Sequence, residues 1–307
     1  MRGLMKVLIH ILKNKNIQSL SELELRSVGI PDTLIKTFLM FSLTLIFASA
    51  TFSCFAQSLN LVTWNIRDFG SRLNDQQLDS IAAIISLSDL CTIQEVVLNE
   101  GGDEAADLIL ERLRIINLAW NYVISDPSDS SPYFSERYLI FWNGDYVTKF
   151  GEPWMEFHFK NEVEREPFMC NFDFQGSVFT LATIHAKSSQ NQPETDLKYL
   201  KLLPSKYLHP LLISGDFNVV PYHTVFNPLK KIGFQIGNDF ILTTLKKKIN
   251  AEEGYGKNAY DNFLIPPIFE ITETSLMFSI VNQYDLDYWR GVSDHVPLKI
   301  ILSMRHK

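Results

Sequence analysis

Short apolar runs alternate with polar stretches along the chain from residue 60 onward. Eight of these runs are rich in Val, Ile, Phe, Thr and Leu, a composition and length typical of β-strands. They are 60–66, 89–96, 137–143, 168–174, 178–186, 210–218, 259–265 and 296–302. Their number predicts a protein built around β-sheet.

Three segments between the strands have helical character. In 75–86, apolar residues recur at 78, 81, 82 and 85, the spacing of one helix face. The segments 105–118 and 194–203 behave similarly. Internal repeats and low-complexity linkers are absent from the sequence, and 307 residues suit one large α/β or β-sandwich domain.

An uncharged apolar segment, 37–56, precedes this pattern and follows Lys36. Its small residues near the end are typical of a secretory signal, which predicts cleavage after Ala56 and a domain spanning 57–307. The protein is then secreted or periplasmic, with no stable membrane partner. Two alternatives stay open, a lipoprotein signal with Cys54 as the lipidated residue and an uncleaved anchor of ~20 residues through 37–56. Residues 1–36 are interpreted as the product of an upstream start codon, with no function assigned.

The net charge argues against non-specific attraction to polyanions. The whole chain carries −7, and residues 1–56 hold six of its 28 Lys and Arg but three of its 35 Asp and Glu, which leaves −10 from Gln57 onward. A protein of this charge needs metal ions or a few placed cations to handle a polyanion. Cys91 and Cys170 lie in apolar runs, so buried free thiols are expected, with a disulfide as the alternative.

Polar side chains stand near the ends of several predicted strands. They are Asn65, Glu95, His185, Asp216 with Asn218, and Asp261. One polar strand end is unremarkable, but several in one domain indicate strand ends that meet at a common site.

Carboxylates and amides at such an edge favour a hard divalent cation. Mg²⁺ and Mn²⁺ take oxygen ligands and keep waters, so Glu95 with one or two helpers suffices. In the run GDFN, Gly215 permits a tight backbone, and strand alternation directs Asp216 and Asn218 to one face. A salt-bridged strand-end Glu and an ordinary turn are the alternatives for these two segments.

Two histidines lie beside acids. His185 ends a predicted strand and His295 follows Asp294, and a histidine paired with a carboxylate is held oriented for acid–base work. Glu136 and Asp261 are the candidate partners. A lone histidine would more often be structural.

Together these segments resemble the endonuclease/exonuclease/phosphatase superfamily. The matching runs are WNIRDFG (64–70), IQEV (93–96), SERYLIFW (135–142), EREP (164–167), TIHAKS (183–188), GDFN (215–218), AYDNFLI (259–265) and SDHVPL (293–298). The resemblance covers about 59–302. The NIRDFG, ERY and REP pieces are similar to the DNase I branch in particular.

The resemblance implies a four-layer α/β sandwich with two packed mixed sheets flanked by helices. It also implies roles. Asn65, Glu95 and Asp294 would hold Mg²⁺ or Mn²⁺, and Asp216 and Asn218 would orient the scissile phosphate and its water. His185 would pair with Glu136 and His295 with Asp261 as the catalytic histidines. Arg67 and Arg165 would contact the DNA backbone, and Phe134 would stack on a sugar.

The chain departs from the DNase I branch at several positions. Val97 stands where the branch has a minor-groove arginine, Phe134 replaces a tyrosine, and Asn258 replaces a disulfide cysteine. Between 142 and 165 no acidic calcium loop is evident, so Ca²⁺ has no clear structural site. These changes weaken the case for tight minor-groove binding and leave the catalytic set intact.

The sequence therefore predicts a monomeric, metal-dependent endonuclease that hydrolyses DNA to 5′-phosphate and 3′-hydroxyl ends. A sphingomyelinase-type phospholipase or a phosphoinositide phosphatase is the alternative on the same fold, since fold does not fix substrate. Such enzymes carry apolar insertion loops or a lysine-rich phosphate-reading segment. WMEF (154–157) is a candidate exposed hairpin, and no lysine-rich segment stands out. An inactive binding module is a second alternative, which the complete set of acids and histidines disfavours.

Overall fold

A computed structural model describes residues 58–128, 136–250, 254–277 and 286–305, without the side chains of 248–250 and 286. The predicted signal and cleavage site in 1–56, and Phe134, lie outside the described residues. In the described ranges, no helix combines the length and apolarity needed to cross a membrane. Cys91 and Cys170 are buried free thiols, as expected.

The strands, in chain order, are β1 (Leu59–Phe69), β2 (Leu90–Val97), β3 (Trp120–Ile124), β4 (Glu136–Asn143), β5 (Thr148–Met155), β6 (Phe168–Phe174), β7 (Ser177–His185), β8 (Leu211–Asp216), β9 (Gln235–Ile236), β10 (Leu245–Asn250), β11 (Gly254–Gly256), β12 (Asp261–Ile265), β13 (Phe269–Leu276) and β14 (Leu298–Met304). The helices are α1 (Asp75–Ile85), α2 (Gly102–Ile116), α3 (Glu194–Leu197), α4 (Asn227–Lys231) and α5 (Leu286–Val292). Short 3-10 turns cover Ser189–Asn191, Leu200–Ser205 and Thr224–Phe226.

The strands form two six-stranded mixed sheets and a small hairpin. The first sheet has the order β13-β14-β1-β2-β4-β3 and the second β5-β6-β7-β8-β12-β9. The pairs β1–β2 and β7–β8 are parallel, and their neighbours in each sheet are antiparallel. Strands β10 and β11 pair only with each other as an antiparallel hairpin.

Alternation along the central strands buries both faces of each sheet. On β1, Leu59 and Leu61 pack between the sheets, whereas Val62 and Trp64 pack on the opposite side with α1 and α2. The second sheet repeats this arrangement, with its outer face against the segment from α3 to α4. Strands buried on both faces read as continuous apolar runs, which is why the sequence shows them so clearly. The result is the predicted four-layer sandwich.

A seam of polar side chains crosses the otherwise apolar space between the sheets. Thr92 on β2 makes hydroxyl hydrogen bonds of 3.1 Å to Thr63 and 3.0 Å to Ser214 of the opposite sheet. The Gln94 amide donates to Thr183 at 2.9 Å. All five side chains are fully buried, so each needs these partners to offset lost hydration. The seam ties β1 and β2 to β7 and β8 directly below the strand ends that carry the predicted site.

The helix prediction was most accurate for α1, where the apolar spacing and the N-terminal capping residues agree. Helix α1 begins after Asn74, whose side chain accepts from the Gln77 backbone while the Gln77 side chain accepts from the Asn74 backbone. The predicted helix 194–203 is instead α3 followed by the 3-10 turn Leu200–Ser205. Pro204 lies in that turn, and its missing N–H cannot support a regular helix.

Candidate active site

The site begins where β1 and β2 become irregular. Their register shifts between Asn65 and Phe69, and Glu95 has a left-handed φ of 62°. This rare conformation for a non-glycine residue turns the carboxylate to the strand edge. There Glu95 Oε1 accepts from the Asn65 amide at 2.9 Å, and Oε2 accepts from the Asp68 backbone at 3.3 Å. Asp68 is also left-handed, with φ 47°.

The GDFN segment reaches the same edge from β8. Gly215 has φ 140°, and a Cβ there would lie 2.0 Å from the Ile184 carbonyl oxygen, so glycine is required. Asp216 ends the strand, and Asn218 follows it with φ 51°. Asp216 and Asn218 do lie together, since the Asn218 backbone and amide both donate to the Asp216 carboxylate, at 2.9 and 3.2 Å. A left-handed turn brings the two side chains together, whereas the sequence had suggested that strand alternation would do so.

His185, at the end of β7, forms a pair with Glu136 at the start of β4. His185 Nδ1 lies 2.6 Å from Glu136 Oε2, and Arg165 Nη2 lies 3.3 Å from Glu136 Oε1. Burial alone would lower the pKa of His185, but its hydrogen bond and attraction to Glu136 raise it overall. Burial alone would raise the pKa of Glu136, and the same partner with Arg165 lowers it overall. Both directions favour the ion pair.

His295 forms a second pair with Asp261, at the start of β12. His295 Nδ1 lies 2.7 Å from Asp261 Oδ2, and the Asp261 side chain is fully buried. Burial lowers the pKa of His295, but attraction to Asp261 and Asp216 outweighs it and raises that pKa to about 10. The Thr243 hydroxyl accepts from the Tyr260 and Asp261 backbone at 3.2 and 3.1 Å, which holds the backbone that carries the carboxylate.

The two pairs converge on one carboxylate oxygen. Asp216 Oδ2 lies 3.6 Å from His185 Nε2 and 3.8 Å from His295 Nε2. It also accepts from the Asn65 amide at 3.3 Å. Burial raises the pKa of Asp216, the charge of His295 opposes this, and Asp261 adds to it, for a raised value overall. Each Nδ1 is occupied by a carboxylate, so each Nε2 faces the shared space.

The donor atoms at this edge fit a divalent metal ion. Among the described residues, Asn65 Oδ1 is buried without a hydrogen-bond partner, and the Glu95 carboxylate lies beside it. Asp294 opens onto the same cleft as His295 and Asn218. Oxygen donors of this kind suit Mg²⁺ or Mn²⁺. Ligand atoms of Asp216, Asp261 and His295 also lie within 4.8 Å of one another, but two of them already hydrogen bond to each other. Of the predicted ligands, Asn65 and Glu95 lie together with oxygens that suit a hard cation, and Asp294 lies on the adjoining cleft.

The predicted substrate-binding residues lie on opposite sides of the site. Arg67 is exposed and lines the cleft beside His295, whereas Arg165 contacts Glu136. Phe134 lies outside the described residues. Val97 pairs with Glu136 across β2 and β4, so it does stand beside the site, where it offers no hydrogen-bond donor.

Three supporting residues were not identified from the sequence. Ser293 donates to the Asn65 carbonyl at 2.7 Å and accepts from the His295 backbone at 3.0 Å, which links the metal edge to a histidine. Thr243 supports Asp261, as described above. Arg137 is buried and bonds both oxygens of Asp103, at 3.0 and 2.7 Å, and the Val97 carbonyl at 2.9 Å. In the sequence, Ser293 and Arg137 could have been indicated only by their adjacency to Asp294 and Glu136. Thr243 has no such neighbour.

Two surface segments bear on the lipid-acting alternatives. In WMEF (154–157), Phe157 is 61% exposed, whereas Glu156 is buried and accepts hydrogen bonds from His158, Phe159 and Tyr207. A lysine-bearing segment does exist, since Lys246, Lys247 and Lys257 line the cleft.

Comparison with solved structures shows the same fold in several proteins. An endonuclease/exonuclease/phosphatase family protein from Bacteroides thetaiotaomicron matches with TM-score 0.61 and 15% identity over 81% of this chain and 99% of that one. A TDP2 of D. rerio complexed with single strand DNA product matches with TM-score 0.58 and 16% identity over 81% and 100%. The B. thetaiotaomicron mannosyl-6-phosphatase Bt3783 matches with TM-score 0.57 and 16% identity over 80% and 100%.

These likenesses confirm the predicted four-layer sandwich as the fold of this chain, a fold shared with solved endonuclease/exonuclease/phosphatase family proteins. No protein-family model matches the sequence, and no curated protein matches it. The proteins that share the fold include a phosphatase and a protein bound to a DNA product, so the fold spans more than one phosphoester chemistry.

Proposed function

We propose that this protein is a divalent-metal-dependent phosphodiesterase whose substrate is DNA. The observation that carries the proposal is the convergence of two histidine–carboxylate pairs on Asp216 Oδ2, with Nε2 atoms 3.6 and 3.8 Å away. A purely structural role requires only that a histidine be hydrogen-bonded, and it does not require two histidines that face the same space. Two imidazoles that face one space beside a cluster of carboxylates suit transfer of one proton from water and another to a leaving oxygen.

The geometry suggests a role in the reaction for each side chain. One imidazole, in its neutral form, accepts a proton at Nε2 from the attacking water, and the other, in its charged form, donates a proton to the oxygen that leaves phosphorus. Glu136 and Asp261 hold each ring by Nδ1 and stabilise its charged form. Asp216, with Asn218 beside it, orients the water and a phosphate oxygen. The products expected from this in-line hydrolysis carry 5′-phosphate and 3′-hydroxyl ends.

A divalent ion held by Glu95, Asn65 and Asp294 would neutralise charge that develops on the phosphoryl oxygens. The test is hydrolysis of a DNA oligonucleotide after EDTA treatment. We expect loss of activity and recovery with Mg²⁺ or Mn²⁺. A Glu95→Gln variant should need more metal for the same rate, whereas the control Glu111→Gln, at an exposed position in α2, should behave as the unchanged protein. Full activity in EDTA would contradict the proposal.

DNA is favoured over other phosphodiesters by three features. Arg67 and Arg165 flank the two histidine pairs and suit backbone phosphates. One protein of the same fold is bound to a single-stranded DNA product. At 154–157, where an exposed apolar segment would suit a lipid-acting enzyme, Glu156 is buried and Phe157 is the one exposed apolar side chain. A panel of duplex DNA, single-stranded DNA, RNA and sphingomyelin with Mg²⁺ tests this, and preference for sphingomyelin would overturn it.

We also propose that the chain is exported and acts as a monomer, with Gln57 as its mature N-terminus. The uncharged segment 37–56 supports export. N-terminal sequencing of secreted material should find Gln57 or a neighbour. An intact 1–56 segment on soluble cytoplasmic protein would contradict export, and anchored protein would favour the membrane alternative.

A further inference from the structure

One wall of the cleft beside His295 concentrates positive charge, although the whole chain carries −7. The cleft has a volume of about 1020 Å³ and is continuous with the catalytic residues Asn218, Asp294 and His295. We call its cationic side the basic wall, which is defined by Arg67, Arg290, Lys246, Lys247 and Lys257. The acids in the lining are Asp287 and Asp294, and Asp294 belongs to the metal edge.

Backbone hydrogen bonds fix the basic wall to the catalytic residues. The Leu245 N–H donates to the Asp294 carbonyl at 2.7 Å, and the Val296 N–H donates to the Thr243 carbonyl at 2.7 Å. Strand β10 therefore starts at the site, and Lys247 lies about 7 Å further along it at the usual rise of a strand. The Lys257 N–H donates to the Thr244 carbonyl at 2.8 Å, which brings the second lysine-bearing segment alongside.

We propose that the basic wall binds the phosphates of an unpaired nucleic-acid strand next to the scissile phosphodiester. This inference rests on the proposed function and specifies its substrate. A cleft of this volume is larger than one phosphate group requires, and a series of cations along its side suits a chain of phosphates. Tyr260 is half-buried among these cations. Cations with an interleaved aromatic ring are the elements that bind single strands, through backbone charge and base stacking.

The location of the charge also favours a single strand over a duplex. The residue that would enter a minor groove is Val97, on the Glu136 side of the site, and it cannot donate a hydrogen bond. The basic wall lies instead in a concave cleft on the His295 side. A polyphosphorylated lipid headgroup is the competing ligand, and it would engage the same lysines without needing a longer chain.

The experiment compares Lys247→Gln/Lys257→Gln with the unchanged full-length protein. The matched control is Lys230→Gln/Lys231→Gln, which removes two exposed lysines from α4, away from the cleft. The substrates are a single-stranded DNA of about ten nucleotides, within the range of single-strand sites, its duplex, and bis-p-nitrophenyl phosphate, which has one phosphodiester and no flanking phosphates. A soluble phosphoinositide headgroup is the competing ligand. Strand binding is measured in parallel by fluorescence anisotropy over a salt series.

In the cleft variant, the ratio of kcat/KM for the strand to that for the small diester should fall roughly five- to tenfold at low salt. The dependence of log Kd on log salt should become shallower by about 0.7 per lysine removed. The control should match the unchanged protein in both. An unchanged ratio and slope would overturn the proposal, as would a larger loss on duplex than on single strand, or a loss only on a phosphoinositide headgroup.

The two levels of inference fail differently. If the unchanged protein hydrolyses neither the small diester nor DNA with Mg²⁺, the proposed function is wrong. Anisotropy still decides the basic wall in that case, because binding of the strand and its salt slope need no turnover. If the small diester is hydrolysed and the cleft variant binds the strand like the control, the basic wall alone is wrong.

Discussion

The two histidine–carboxylate pairs have the same chemistry but different surroundings. Asp261 is fully buried, and within the described chain its Oδ1 has no hydrogen-bond partner. Glu136 keeps 23% of its side chain exposed and shares its carboxylate with Arg165. The Asp261–His295 pair is therefore enclosed and depends on one interaction, whereas the Glu136–His185 pair opens towards a residue expected to contact substrate. We therefore expect that loss of the carboxylate that orients His295 costs more activity than loss of the carboxylate that orients His185.

Asp261→Asn should give the larger loss of activity. An amide in place of the carboxylate no longer stabilises the imidazolium and allows the wrong tautomer of His295, and water cannot enter to compensate. We expect kcat for DNA hydrolysis to fall by about 10³. The measurement is single-turnover cleavage, with circular dichroism to verify folding. A loss under about tenfold would mean that the enclosed pair does not orient His295.

Glu136→Gln should cost less, about 10- to 30-fold in kcat, because solvent and Arg165 remain near His185. The variant also frees Arg165 from its 3.3 Å contact, so KM for DNA should change as well. The same single-turnover assay, extended over DNA concentration, separates the two effects. A loss equal to that of Asp261→Asn would remove the asymmetry between the pairs.

Thr243→Val tests the support of the enclosed pair. The hydroxyl that accepts from the Tyr260 and Asp261 backbone is lost at a buried position, and the free energy of unfolding should fall by about 1–2 kcal/mol. Urea denaturation measures this. Thr243→Ser keeps the hydroxyl and should recover most of the stability. A Thr243→Val variant as stable as the unchanged protein would contradict the supporting role of the hydroxyl.

Asp103→Asn tests the support of the open pair and should have the smallest effect. Hydrogen bonds from Arg137 lower the pKa of Asp103, against the opposing effect of its slight burial. Because this pKa is lower in the folded state than its unfolded value of about 4, the ionised carboxylate increases the free energy of unfolding at pH values above about 4. That contribution disappears as the pH falls through the folded-state pKa. Because Asp103 is half-exposed, the advantage over Asp103→Asn at neutral pH should be below about 1 kcal/mol. Urea unfolding should show this advantage shrinking below pH ~4. An advantage that grows with acid would contradict the assigned role.

The strands that the sequence predicted well are the ones buried on both faces. Strands β7 and β8 appear as unbroken apolar runs because each face packs against a different layer. Strand β5 was missed because it lies at a sheet edge and reads TKFGEPWM, with exposed polar residues and a proline. Strand β13, also at an edge, carries the exposed residues Glu270 and Glu273 and was missed for the same reason.

The candidate site could be assembled from sequence only as far as residue types allow. Asn65, Glu95, His185, Asp216 and Asp261 stand at strand ends, and the structure does bring them together. The left-handed conformation of Glu95 has no local signal, whereas Asn218 is of a residue type that tolerates it, in line with the turn alternative for GDFN. The basic wall was missed because β10 lies beside His295 only through hydrogen bonds between segments about 50 residues apart.

The polar seam between the sheets constrains which substitutions this sequence can accumulate during evolution. Thr92 and Ser214 come from different sheets and satisfy each other at 3.0 Å in a dry environment. Loss of the Ser214 hydroxyl leaves Thr92 with its bond to Thr63. Loss of the Thr92 hydroxyl leaves Ser214 with a long 3.4 Å bond to the Ala182 carbonyl. Each single loss weakens the hydrogen bonding of the remaining hydroxyl, whereas replacement of both by small apolar side chains removes the mismatch. Substitutions at these two positions should therefore be inherited together. A set of homologous sequences would show them as a covarying pair, although 122 positions separate them along the chain.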